Sequence, residues 1–184
     1  DESLVNVSLW PTGTGGTAVA SVTSTELGLK FRANAAGVIS GIRFYKSVES
    51  GTGTFAVRLY DLTAPASPIG SGSVVISTAG ISGWQQVLFA SPINIEANKT
   101  YVAAYVAPNG RYTQTAGDLL SAFTNGPLTA LADDFDGPNG VYKTGNGTEA
   151  PNLDGNGANY WVDVIYTATN LIHFAQIKDA YQNV

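Results

Sequence analysis

The chain reads as an all-β protein, an antiparallel β-sandwich of jelly-roll topology with a long ordered loop region and a short C-terminal helix. Three observations predict this. First, Leu27-Gly28-Leu29-Lys30-Phe31-Arg32, Ile42-Arg43-Phe44-Tyr45 and Phe55-Ala56-Val57-Arg58-Leu59-Tyr60 alternate apolar and polar residues strictly. Successive side chains of a strand point to opposite faces, so this period of two marks half-buried strands. Second, further strand-like runs follow at short spacing, punctuated by Gly, Pro and Asn, as in sandwiches and jelly rolls. Third, charged residues are only 12% of the chain, so its polar surface rests on Ser, Thr, Asn, Gln and 21 glycines, a composition common among secreted all-β proteins.

Each element has its own signal. Leu4, Val5, Val7, Leu9 and Trp10 form a short apolar opening that Pro11 halts, and a Gly/Thr loop runs from 12 to 17. The three alternating strands come next, with turns at 34–37 and 49–53, and Pro65 and Pro68 mark the loop after the third. Ser73–Ser77 and Trp84–Phe89 read as two more strands around a turn at 78–83. Thr100–Val106 is another, closed by Pro108-Asn109-Gly110, and Tyr160–Thr167 is the last. Between Arg111 and Asn159 the periodicity dissolves into turn residues. Segments this long inside a domain are functional or disordered, and Phe123, Leu128, Leu131, Phe135, Val141 and Tyr142 supply the anchors for an ordered one. In Leu171–Val184 apolar residues recur at helical spacing. The chain therefore divides into an N-terminal extension (1–7), a sandwich domain (8–168) and a helical tail or linker (169–184).

Composition narrows the function. At 184 residues the chain supports one domain with a full core. A net charge of −5 opposes general nucleic-acid binding, and no apolar run approaches the ~18 residues of a membrane span. Cysteine is absent, which excludes disulfides and thiolate metal sites. Such a domain fits a bacterial secreted or cell-surface setting.

The strands and turns carry ordered motifs: Glu26-Leu27-Gly28-Leu29-Lys30-Phe31, Gly41-Ile42-Arg43-Phe44-Tyr45-Lys46, Gly83-Trp84-Gln85-Gln86-Val87, Tyr101-Val102-Ala103-Ala104-Tyr105, Asn125-Gly126-Pro127-Leu128, Asn139-Gly140-Val141-Tyr142 and Asn159-Tyr160-Trp161-Val162-Asp163-Val164. In that order, over about Ser8 to Ala168, the chain resembles a bacterial domain family of unknown function, family 4082 of that class. The resemblance implies an accessory module of secreted multidomain proteins, beside immunoglobulin-like, fibronectin-like and carbohydrate-active domains. That company implies adhesion or polysaccharide binding.

Three constellations are candidates for chemistry. The polar phase of the alternating strands carries Lys30, Arg32, Arg43, Tyr45, Arg58 and Tyr60, four of the nine basic residues, with Trp161 and Asp163 added from the last strand. Aromatic rings stack on the C–H faces of sugars, and Arg, Lys and Asp hydrogen-bond hydroxyls. The same residues could instead form cross-strand charge pairs worth up to about 1 kcal/mol each, with Trp161 in the core. Second, Asp133, Asp134, Asp136 and Asn139 cluster as oxygen donors suited to a structural Ca²⁺, although Asp and Asn in turns also bond their own backbone. Third, Tyr112, Phe135 and Tyr142 sit in the loops, where Tyr112 and Tyr142 join the candidate ligand-binding set. Catalysis has the least support. The one histidine, His173, lies in the tail, and Asp133 and Asp136 share one Gly-flanked loop, a poor scaffold for two acids at fixed separation. The expectation is a non-catalytic extracellular module for polysaccharide or cell-surface glycan binding or adhesion. A structural or assembly domain contacting neighbouring domains or subunits is the alternative. No nucleic acid and no membrane insertion are expected.

Overall fold

The computed structural model describes residues 6–12, 15–21 and 23–169. The helix expected over 171–184 lies outside the described residues. The strands are β1 (Thr17–Ala20), β2 (Thr25–Ala33), β3 (Gly37–Lys46), β4 (Gly53–Asp61), β5 (Gly70–Ile76), β6 (Gly83–Ile95), β7 (Tyr101–Ala107), β8 (Arg111–Gln114), β9 (Phe123–Asn125), β10 (Leu128–Ala130), β11 (Val141–Thr144), β12 (Leu153–Asp154) and β13 (Val162–Ala168). They form a large sheet, β12-β11-β2-β7-β4-β5, with β10 also on β2 and β9 on β10. A small sheet, β13-β3-β6, packs against it, and β1 pairs with β8. Every strand pairing is antiparallel, and the protein is an all-β sandwich.

The alternation works as expected on the inner faces. Leu27, Leu29 and Phe31 of β2, Phe55, Val57 and Leu59 of β4, and Tyr101 and Tyr105 of β7 meet Ile42, Phe44, Val87, Phe89, Val162, Val164 and Tyr166 of the small sheet in one buried cluster. Phe44 stacks on Tyr105 at 4.6 Å and on Phe55 at 5.4 Å, joining the two sheets at mid-height. Each such apolar side chain stabilises the fold by roughly 2 kcal/mol through burial. The sheets approach most closely along β5 and β6. A Cβ on Gly72 would lie 2.9 Å from the Val87 side chain, and one on Gly70 would lie 2.9 Å from Ile93. Only glycine permits that approach.

Two expectations change. The region 111–159 contains five short strands, β8 to β12; their two to four residues are too few for alternation to show. The last strand begins at Val162, because Trp161 takes a positive φ of 54°. That left-handed residue breaks the alternation, and Trp161 turns into the core cluster beside Trp10 at 5.5 Å.

The long segment is tied to β2 by two short strands and, between them, by one side chain. β11 pairs with Thr25–Gly28 and β10 with Phe31–Ala33 along the same edge of β2, leaving a gap at Lys30. The fully buried Asn139 amide fills it. Its Oδ1 accepts the Lys30 N–H (2.8 Å) and the Gly140 N–H (2.7 Å), while its Nδ2 donates to the carbonyls of Lys30 (3.0 Å) and Leu131 (2.7 Å). The side chain thus stands in for a missing stretch of strand. Unsatisfied buried groups cost about 1–3 kcal/mol each. Asn139→Ala should therefore lower unfolding free energy by roughly 3 kcal/mol or more, measured by urea denaturation; a loss below about 0.5 kcal/mol would contradict this role.

Candidate functional site

The residues expected to share one polar face lie on opposite sides of the sandwich. Lys30, Arg32, Arg58 and Tyr60 belong to β2 and β4 of the large sheet, whereas Arg43 and Tyr45 belong to β3 of the small sheet. Alternation assigns a residue to inside or outside, but not to one sheet or the other. Neither outer face is a bare groove, because loops cover much of both.

On the large sheet the cover is held by Glu26, which is fully buried. Its Oε1 accepts the Tyr60 hydroxyl at 2.8 Å. Its Oε2 takes Arg58 at 2.7 Å and Lys143 at 2.9 Å. Arg58 reaches Glu26 across β7 because the intervening residue in its register is Ala104. Burial, then the adjacent Glu26 charge, pushes the Tyr60 phenol well above its ordinary value, so it remains a donor. The two cations also hold the loop after β11. Arg58 donates to the Gly147 carbonyl (2.8 Å) and to Asn146, and Lys143 donates to the carbonyls of Gly147 (2.9 Å) and Glu149. This loop is stitched to the loop after β4 by the Ala150 N–H donating to the Pro65 carbonyl at 2.8 Å. Beneath them Tyr60, Val102, Ala104, Val141 and Ala150 form a second apolar cluster. Gly28 allows the descent: a Cβ there would lie 2.9 Å from the Pro151 ring.

The two loops leave a cleft of about 580 Å³ between them. Leu62, Pro65, Pro138 and Pro151 give it apolar walls, and Lys30, Ser67, Glu149 and Asn152 give it polar groups. The buried Lys30 ammonium donates to the Asp136 carbonyl at 2.7 Å. Burial lowers its pKa, opposed by the Asp136 and Asp133 charges.

Asp136 and its neighbours lie beside this cleft. Asp136 pairs with Arg32 at 3.2 Å, and Arg32 also bonds Thr100 and lies 5.2 Å from the ring centre of the exposed Phe135. A hydrogen bond from Thr100, reinforced by Arg32 against a smaller burial effect, holds the Asp136 carboxyl below the usual range. Asp133 accepts the Asn139 N–H at 2.7 Å, and Asp134 takes a positive φ of 64°. Of the four candidate calcium ligands, Asn139 has its amide oxygen occupied by two backbone N–H groups. A cation on Asp136 would compete with Arg32.

On the small sheet the buried Asp163 plays the part that Glu26 plays opposite. It accepts the backbone N–H groups of Leu9 (2.7 Å) and Trp10 (2.9 Å) and pairs with Arg43 at 2.7 Å. Arg43 also donates to the Trp10 carbonyl, and its guanidinium lies 4.3 Å from the ring centre of Trp84. Tyr45 meets Trp84 edge-on at 5.8 Å. Trp161, 8% exposed, donates its indole N–H to Thr115 at 3.1 Å. As a buried side chain it offers no stacking platform. Tyr112 and Tyr142 gather at a third place: Tyr112 packs edge-on against Tyr160 at 5.6 Å, both tyrosines lie half-buried on the core, and burial raises the Tyr112 phenol with Tyr142 adding to it. The nine candidate ligand residues therefore fall into three separate groups, and Lys30 alone of them lines the cleft.

A family model for a domain of unknown function, DUF4082, matches residues 11–162. The chain belongs to this family. No curated protein matches it.

Glu26, Lys143, Glu149 and Asn152 were not among the residues read from sequence as a site. Glu26 had a usable signal, since it shares the polar phase of β2 with Lys30 and Arg32, whereas Lys143 comes opposite it only through the register of the four-residue β11. Glu149 and Asn152 lie in a turn-rich loop, where no period marks them. Removing one partner of a buried ion pair costs about 3–5 kcal/mol because it leaves uncompensated charge. Glu26→Gln should therefore destabilise the DUF4082 domain by roughly that amount in urea unfolding. A change within about 1 kcal/mol of the wild type would show that Glu26 does not hold the cover.

Proposed function

We propose that this domain is a non-catalytic extracellular recognition module that takes a carbohydrate in the cleft above β2. The supporting observation is the construction of that cleft. Its apolar walls are largely proline and aliphatic, and its directional groups (Lys30, Ser67, Glu149, Asn152) sit among them. Ligand sites combine apolar lining with a few polar groups in this way. A sugar presents C–H surfaces and hydroxyls together, which suits such a lining. The walls are pre-organised by proline and by the cross-loop bond from Ala150 to Pro65, and rigid walls reduce the ordering cost of binding.

Among the described residues one carboxylate, Glu149, lines the cleft, whereas glycoside hydrolysis by paired acids uses two; this favours recognition over cleavage. An extracellular role draws its support from the low charge and absence of cysteine. A structural Ca²⁺ would recruit Asp133, Asp134 and Asp136 beside the cleft.

A screen of isolated polysaccharides and glycans, run in calcium and again in EDTA, tests this reading. Saturable binding is expected, weakened at least about tenfold in Ala66→Trp, which fills the cleft without touching the Glu26 cluster. Loss in EDTA would bring the acidic loop into the site. Binding unaffected by Ala66→Trp, or no binding under either condition, would overturn it.

A further inference from the structure

Between Asp61 and Glu96 the chain carries no charged side chain. At its average of 12%, a stretch of that length would hold about four. The gap spans all of β5 and β6, which are the adjacent outer strands of the large and small sheets. Along it lie exposed apolar side chains, Val75 (70%) and Leu88 (60%), with Ile69 and Ile81 close by in sequence.

An open strand edge is a template for further pairing, and proteins blunt such edges with charge, proline, bulges, short length or a covering segment. The other edges of the two sheets carry such guards. At the far side of the large sheet, β12 has two residues and includes Asp154, and β9 has three. In the small sheet, β13 is covered by the N-terminal segment, where Val7 and Tyr166 exchange backbone hydrogen bonds at 2.7 and 2.9 Å. β6 contains Pro92, and its register with β3 breaks between Ile39 and Gly41. Among the described residues, β5 has none of these. It runs seven residues, Gly-Ser-Gly-Ser-Val-Val-Ile, in unbroken register with β4.

We infer that β5 is an assembly edge and that its occupant is β5 of a second copy of this chain, paired antiparallel about a two-fold axis near Ser73. Charge restricts where two copies can meet. Each copy carries a net charge of −5, so two copies repel in most orientations, over a range of about 10 Å at moderate ionic strength. Contact along the uncharged strip keeps the ionised groups apart. The strand is also self-complementary. Its exposed outer face reads Ser71, Ser73, Val75, so pairing about Ser73 sets Ser71 of each copy beside Val75 of the other and brings no two charges together. Such an isologous interface closes after two copies and continues the large sheet through both. It uses the sandwich edge and is independent of the cleft.

Sedimentation equilibrium of the full chain, followed up to about 1 mM, tests the inference. A concentration-dependent dimer is expected, and raising salt should strengthen it by screening the repulsion between the two bodies. Ser73→Lys and, separately, Val75→Lys should each weaken dimerisation at least about tenfold while circular dichroism and the thermal midpoint stay near the wild type. Both positions are exposed, so either variant suffices if the other misfolds. A protein that stays monomeric throughout, or a dimer that neither lysine weakens, would overturn it.

Discussion

One buried carboxylate organises the outer side of the large sheet. Glu26 sits on a strand whose opposite face is the hydrophobic core, and it collects a phenol, a guanidinium and an ammonium from three other points of the fold. Its two cations reach on to the loop that roofs the sheet. Taking charges out of water is expensive, and the cost is recovered only when each donor and acceptor finds a partner. That requirement forces the pieces into register together. Tyr60 must stay protonated, position 104 must be small, and Gly28 must leave room for Pro151. The buried cluster is therefore weak evidence for stability and stronger evidence for a single defined arrangement of the loops.

The small sheet repeats the device with Asp163, which captures two backbone N–H groups of the N-terminal segment and the Arg43 side chain. A sandwich whose two outer faces would otherwise be wet has thus gained a cover on each, pinned by an acid that penetrates beneath it. The consequence for function is direct. Neither sheet presents a flat face lined with basic and aromatic residues, because those side chains serve to hold the covers. The binding site proposed above is instead the gap between two covering loops, bounded by proline and by Lys30.

The inner faces were legible because half-buried strands write their burial as a period of two, and Leu27, Leu29, Phe31, Phe55, Val57 and Leu59 follow it without exception. The polar phase was legible as outward-facing but not as belonging to two different sheets, since Arg43 and Arg58 read alike in sequence. Strands as short as β9 or β12 leave no period at all. Asn139 stood in an apparent turn of Asp, Gly and Asn, yet it completes the edge of β2. An amide imitating backbone cannot be told from an amide in a turn until its partners at Lys30 and Leu131 are known. Trp161 misled for a related reason: one left-handed residue at the head of a strand moves its side chain to the other face. The cleft was invisible because its walls are Pro and Ala from loops that lie far apart along the chain.

Native-state hydrogen exchange at the Ala150 amide tests most directly whether the loops close the large sheet as a unit. This N–H joins the two covering loops through the Pro65 carbonyl. If Glu26 and its cations hold the cover, its opening free energy should approach that of global unfolding, in company with the amides of β2 and β7. Exchange close to the rate of an unstructured peptide, with β2 and β7 still protected, would contradict the account, because the cover would then open freely over an intact sandwich.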